Sequence, residues 1–456
     1  MGTDAPTPIV IPVHCAPKKA PCPKCGKKAR RKRTLRRTVR TVAFKAAAVL
    51  KITYGEYAAR CGCSTTFRTT PEGVPQKARY DNHVRQLVLD RVLKDRMSVE
   101  RVLVSLRREY LLELSTGFVY DVLRDHAASL DMAAHRRAVL ERFSGTLCVD
   151  ELHLGRFTLL LATDPLSDMP VAFALVDKND QAHIRRFLGN LKASGLLPHV
   201  VVTDGSNLYP AVLAALWPDA DHQLCAFHVI QEINRLVLDA VRRLKGEMAR
   251  RCKAGRRKKP GPRSRRAKAA EARRGPTIKE KAYFVFKRRY LIVKRRENFT
   301  EAEREDLARM LEYLPGLGVL RRFADRIYWL FDTPKDLHQA GYRRAAIVCE
   351  PAFRAVPELV KAMEQLDEEK FAKVMAYLTA PGDRRVRTNN HVERTNRVFR
   401  FLEKVRYKWR RRRALVRFVV LKLDEVWSER WAAGGEKPVR HDKSPPRPGQ
   451  RARPAA

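Results

Sequence analysis

No stretch of this 456-residue chain approaches the ~18 consecutive apolar residues that a membrane-spanning helix needs. The N-terminus, with Asp4 and several prolines, lacks the basic-then-apolar order of a signal peptide. These two absences lead to the expectation of a cytoplasmic protein with no membrane partner. No internal repeat is visible either, so the chain is not an array of repeated units. Acidic residues are scarce: 50 Asp and Glu face 93 Lys and Arg, a formal net charge of +43. That excess opposes compaction through self-repulsion. It points to a polyanionic partner, nucleic acid first and an acidic membrane surface second. What the chain does have is length and apolar residues (45%) for a sizeable core and two to four domains. Nine cysteines in a cytoplasmic chain argue for metal binding or buried thiols rather than disulfides.

Residues 1–20 read as irregular. Cysteines then cluster between 22 and 63, and a helical stretch runs from about 81 to 140. Strand-like runs follow at 147–154, 157–163, 170–176, 199–203 and 223–227. A helix over 181–194 is bounded by Asp180 as cap and Gly195 as stop, with Ile184, Phe187, Leu188 and Leu191 on one face. A second helix is expected over about 206–216. Three sequential strands suggest an antiparallel meander, and the strand–helix–strand units suggest parallel additions, giving a mixed α/β sheet flanked by helices. From about 246 to 380 the pattern is helical, with helices expected at 301–313, 317–330, 334–348 and 355–378. That block opens with a run from Arg250 to Arg274 in which Glu271 is the one acid, so disorder without a partner is expected there. Its aromatics, including Tyr283, Phe284, Phe286, Tyr328 and Trp329, are expected in the core. Helical periodicity continues from 388 to about 430, and a basic, proline-rich tail follows.

Cys22 and Cys25 form a Cys-x-x-Cys turn, and Cys61 and Cys63 a Cys-x-Cys turn. Two such pairs can complete a four-sulfur shell for structural Zn²⁺, with Cys15 and His14 as alternative ligands. Between them lies an arginine-dense run that includes Arg31, Arg33, Arg36 and Arg37, candidates for DNA-backbone contact. Further on, Ser98 and Ser115 can cap the second and third of three short helices, a helix-turn-helix pattern. Asp121 and Asp125 on the third helix are unusual for a groove-reading surface.

Asp150 lies within an apolar strand, where an ionised carboxylate is costly unless paired or metal-bound. Asp204 ends another strand. Adjacent strands would bring the two together, and a cation would relieve their repulsion. Asp164 and Glu151 are competing ligands. Strand alternation sends Asp150 and Glu151 to opposite faces, so one alone should point into a site.

Taken together, the strand-borne VDELHL, the VVTDGSNLYP segment and the later NNHVERTNRVFR helix resemble the Asp-Asp-Glu transposases with a ribonuclease H-like fold, and among them the ISL3-type bacterial insertion-sequence transposases. The resemblance covers roughly residues 20–430. It implies Asp150, Asp204 and Glu393 as the catalytic acids, holding two divalent ions, Mg²⁺ or Mn²⁺. It sets Cys225 and His228 near the scissile phosphate as a Cys-x-x-His signature. The organisation it implies is a zinc ribbon (15–75), a helix-turn-helix domain (81–135), a catalytic core (144–245 and 386–430) interrupted by a helical insertion (246–385), and a tail (431–456). The basic positions Arg397, Arg400, Lys408, Arg410, Arg411 and Arg412 are candidates for phosphate contact. The implied activity is strand cleavage at element ends and strand transfer into target DNA. The implied partners are double-stranded DNA (terminal inverted repeats and target) and a second copy of the chain in a dimer or larger assembly. The alternatives are a ribonuclease H-like nuclease that cuts without joining, a non-catalytic DNA-binding regulator, and a zinc-bearing RNA-binding protein.

Overall fold

The computed structural model describes residues 8–58, 66–254, 275–332, 334–406 and 411–431. Cys61, Cys63, Lys408 and Arg410 lie outside them, as do most of the basic run to Arg274 and the tail. Two compact units emerge, one built from residues 1–137, 153–157 and 396–436, the other from 138–152, 158–395 and 437–456. Each holds a mixed five-stranded sheet. No helix among the described residues is long and apolar enough to cross a membrane.

The first unit opens with strands where an irregular segment was expected. β1 (Ile9–Cys15) runs parallel to β4 (Ala46–Ala58), and β2 (Lys19–Pro21) pairs with β3 (Lys28–Ala43). Proline and scarce core residues hide β1 from sequence reading, yet its backbone is satisfied by the β4 ladder. β3 and β4 form a long antiparallel hairpin closed at Phe44–Lys45, with Lys45 in the left-handed region (φ 55°). The arginine-dense run is therefore a strand. β5 (Thr66–Arg68) adds to β4. Tyr57 is fully buried, stacks on Phe67 at 5.3 Å and donates to the Pro17 carbonyl at 2.7 Å. A Cβ on Gly55 would sit 2.5 Å from that tyrosine, so this position needs glycine.

Helices α1 (Asn82–Leu93), α2 (Val99–Tyr110), α3 (Thr116–Ser129) and α4 (Met132–Arg142) follow. Asp81, Ser98 and Ser115 cap the first three by accepting from the backbone N–H groups of Val84, Arg101 and Phe118. Val84, Val88, Val102, Leu106, Val119 and Val122 form their shared core. Each such side chain contributes about 1.5–3 kcal/mol by burial. Asp121 and Asp125 both pair with Arg124, and Asp125 also takes Arg85, so the acids on α3 are neutralised locally.

The second unit carries β6 (Thr146–Leu154), β7 (Phe157–Asp164), β8 (Met169–Val176), β9 (Val200–Thr203) and β10 (Asp221–Leu224), in the order β10-β9-β6-β7-β8. β7 and β8 are antiparallel; β9 is parallel to both β6 and β10. Between β8 and β9, α5 (Gln181–Ala193) is capped by Asp180 and followed by Gly195 at φ 93°. α6 (Pro210–Leu216) starts four residues later than the expected 206, because Pro210 fixes its first position and Asp204 organises a loop before it.

The helical block begins with α7 (Ala226–Ala254), 29 residues long. It continues through α8 (Ile278–Arg288), α9 (Glu301–Tyr313), α10 (Leu317–Phe331), α11 (Leu337–Val348), α12 (Pro351–Arg354), α13 (Pro357–Met363) and α14 (Glu368–Met375). The single helix expected over 355–378 is broken because Asp367 turns extended and caps α14 through the Lys370 N–H. Tyr283 is 60% exposed, not in the core as expected. Buried Gln223 of β10 ties this block to the sheet, donating to the Val374 carbonyl and accepting from the Tyr377 N–H. Last come α15 (Asn390–Arg406) and α16 (Arg412–Trp431).

Candidate active site

Parallel β6 and β9 pair up to Cys148 opposite Val202. Two residues further along each chain stand Asp150 and Asp204, so the register brings them level and, by alternation, onto one face. Asp150 is 8% exposed. Asp204 follows directly after β9 and accepts from the Ser206 N–H at 3.0 Å.

Glu151 joins them, against the alternation argument. Carboxylate oxygens of Asp150, Glu151 and Asp204 all lie within 4.8 Å of one another. Alternation separates residues that face a continuous sheet. It fixes the direction in which each side chain leaves β6, not where the longer Glu151 side chain ends. At an effective dielectric of about 20, two ionised carboxylates at such a separation repel by about 3.5 kcal/mol. Accordingly, the Glu151 carboxyl is pushed up to about 7, by burial first and then by Asp204 and Asp150. Buried Tyr209 beside it is raised by desolvation and by the same acids. Glu151 Oε1 is buried with no hydrogen-bond partner among the described residues.

Asp164, the other competing ligand, has a different task. It is fully buried and accepts from Ser144 N (2.7 Å), Ser144 Oγ (2.7 Å), Leu166 N (2.9 Å) and Ser167 N (3.2 Å). Those bonds shape the β7–β8 turn and leave the carboxylate no free side for an ion.

Cys225 and His228 bracket the start of α7. The buried Cys225 sulfur accepts from the Asn389 N–H at 3.2 Å. His228 Nε2 stands 3.4 Å from Glu393 Oε1, in the first turn of α15. Its imidazole is pushed up to about 9, chiefly by the Cys225 sulfur beside it, with Glu393 and Asp204 adding negative potential. Thus Cys225, His228 and Glu393 meet, and His228 feels Asp204 as well. Glu393 itself is not one of the three acids whose oxygens cluster.

A family model for ISL3-type DDE transposases, described as "Transposase", matches residues 147–416, more than half of the chain. The chain belongs to the ISL3-type transposases. A search of curated proteins returned no match to it. In this ISL3-type chain the matched span opens on β6, just before Asp150, and takes in Asp204, Cys225, His228 and Glu393.

Divalent metal use is implied by the family, and the residues present fit a hard cation. The donors are all oxygens, one of them orphaned and buried.

The other expected site residues fall elsewhere. Cys22 and Cys25 share the turn between β2 and β3, with Gly26 at φ 71° and its N–H on the Cys22 carbonyl at 2.8 Å. Arg31 donates to the Ala16 carbonyl, and Arg33 grips Glu56 through Nε (2.7 Å) and a terminal nitrogen (3.1 Å). Arg37 donates to the Pro75 carbonyl at 3.3 Å and lies over the Tyr54 ring, while Arg36 is exposed. Arg397, Arg400, Arg411 and Arg412 are exposed. Sequence reading did not single out Tyr209 or Asn389; no motif spacing marks them, because they reach the site from two separate loops.

Proposed function

We propose that this transposase cuts DNA at the ends of its element and joins them to a target, using a ribonuclease H-like sheet with Asp150, Asp204 and a third acid as its metal-holding centre. What carries the reading is the register of β6 and β9, which levels Asp150 with Asp204 on adjacent parallel strands. Asp150, Glu151 and Asp204 would hold one divalent ion, and Glu393 would complete the set from α15. The ion would supply Lewis acidity to a phosphate oxygen and ease ionisation of an attacking hydroxyl. Glu151 would hold such an ion as a carboxylate, the cation's charge offsetting the burial and the neighbouring acids that push its pKa up. His228 is positively charged at neutral pH and offers a donor to a non-bridging phosphate oxygen, with Glu393 orienting the ring.

The same reading makes Cys22, Cys25, Cys61 and Cys63 a zinc shell, α1–α3 a helix-turn-helix module, and residues 246–385 an insertion into the catalytic core. Arg36 on β3 and Arg397 and Arg400 on α15 contact DNA phosphates.

The deciding experiment supplies duplex element ends, a supercoiled target and Mg²⁺ to the full chain. Joined products that vanish in Asp204→Asn, while DNA binding persists, support the reading. Nicked ends that never join would make it a nuclease. Joining that survives Asp204→Asn would refute the metal site.

A further inference from the structure

Glu393 stands on a helix that starts after a loop, and nothing in its own sequence spacing holds it near β6 or β9. Four contacts do that work. Asn389, fully buried just before α15, donates from Nδ2 to the Val149 carbonyl at 2.9 Å, next to Asp150. Its backbone N–H goes to the Cys225 sulfur, and Ala226 N donates to the Arg387 carbonyl at 3.0 Å. His391, 3% exposed in the first turn of α15, has its Nε2 2.6 Å from Asp168 Oδ1.

Asp168 closes the β7–β8 turn in the left-handed region, at φ 53°. An aspartate tolerates that conformation better than most residues, yet it is still uncommon. The conformation is held by Asp164, whose carboxylate takes the Leu166 and Ser167 N–H groups of the same turn. A rigid turn two strands away from Asp204 thus presents one carboxylate to the helix that bears Glu393. Arg394 reaches the same carboxylate at 4.0 Å.

We infer that Asp168 is a positioning residue: through His391 it fixes the first turn of α15 so that Glu393 faces His228. The inference rests on the proposed function for its catalytic consequence and on the hydrogen bonds alone for its structural part. Asp168 lies outside the group formed by Asp150, Glu151 and Asp204. Its effect is on orientation, where a misplacement of about 1 Å can reduce a rate about a hundredfold.

The test uses the full chain and two variants chosen for the backbone at position 168. Asp168→Gly removes the carboxylate but accepts φ 53° freely. Asp168→Asn keeps an acceptor for His391 and also suits the left-handed region. Amide hydrogen exchange is read first, on metal-free protein. Asp168→Gly should speed exchange at residues 391–395 by about tenfold or more, leaving β6 and β7 unchanged, and Asp168→Asn should stay near wild type. End cleavage is read second. Asp168→Gly should lower kcat by about 10- to 100-fold and raise the Mg²⁺ concentration at half-maximal rate, with DNA affinity within about twofold. Asp168→Asn should recover most of both.

Unchanged exchange at 391–395 in Asp168→Gly overturns the inference whatever the activity. So does an active variant with faster exchange but wild-type kcat and Mg²⁺ dependence. Parallel loss of DNA affinity, melting temperature and kcat would also overturn it, since that marks general unfolding. A wild type that shows no metal-dependent cleavage would instead sink the proposed function, and the exchange result would then decide the contact on its own.

Discussion

In the first unit, β3 carries Arg31, Arg33, Arg36 and Arg40 at exposed positions along 16 residues, and the sheet buries little more than Val39, Ile52, Tyr57 and small side chains. In the second, β7 is buried along all eight residues, and its neighbour β6 holds Asp150 among apolar side chains. Both sheets have five strands and mixed pairing, so neither strand count nor pairing type separates them. The difference is where charge sits relative to water. Arginines on an open strand are cheap to keep charged and available to a long polyanion, but they bind it without geometric precision. Carboxylates brought together in and beside a buried strand, as Asp150 and Asp204 are, offer the all-oxygen setting that a small, hard cation prefers.

The contrast would break most visibly at Asp150 and Asp204. Asn at either should reduce end cleavage by on the order of a thousandfold while leaving duplex binding within about twofold. An equal loss of binding would mean that the buried acids and the exposed arginines are not separate devices. Quantitative cleavage and electrophoretic mobility-shift assays decide between these outcomes.

Next in size is the tension at Glu151. Its folded pKa, about 7, lies above the unfolded value of 4.5. Stability from this group is therefore intact below about pH 4.5 and is lost as pH rises through 7, by up to about 3 kcal/mol in metal-free protein. Glu151→Gln should melt higher than wild type at pH 8 in chelator, and the gap should close at pH 4.5. Adding Mg²⁺ at pH 8 should raise the wild-type melting temperature and not that of the variant. A gap independent of pH would remove Glu151 from the acid group.

A smaller effect separates two arginines on one strand. Arg36 is exposed, whereas Arg33 shares Glu56 with Arg68, and the pair holds that carboxyl at about 2. Arg36→Ala should weaken DNA binding several-fold and lower the slope of log affinity against log salt by about one. Arg33→Ala should change the slope less. Equal slopes in a salt titration would show that Glu56 releases Arg33 when DNA binds. The smallest expected effect is at Glu56→Gln, which frees two arginines and should tighten DNA slightly. In the wild type, stability drawn from Glu56 is present above about pH 4.5 and is lost as pH falls toward 2. In the variant, an acid melting profile should lack that step.

How much of this could be read beforehand varied by residue. The strands of the second sheet and α5 stood out because their apolar runs and caps, such as Asp180 and Gly195, are local signals. Asp150 and Asp204 were legible because each ends or interrupts such a run. β1 was not, because a strand that is exposed on most positions and interrupted by Pro12 carries no burial pattern. Glu151 was misassigned because alternation assigns faces along a strand and takes no account of where a longer side chain's carboxylate ends. The break in the expected 355–378 helix came from Asp367, an acid that works equally well inside a helix surface or at a cap. Asn389 and Asp168 act through contacts more than two hundred residues apart in the chain, and no local pattern encodes those.

The length of α7 has its own meaning for a molecule that works on a linear polymer. His228 lies in its first turn, and the helix runs unbroken to Ala254, about 39 Å further at 1.5 Å per residue. Beyond Ala254 the sequence goes directly into Gly255, Arg256, Arg257, Lys258 and Lys259. From His228 to Ala254 the helix is as long as about eleven base-pair steps of a duplex, at 3.4 Å each.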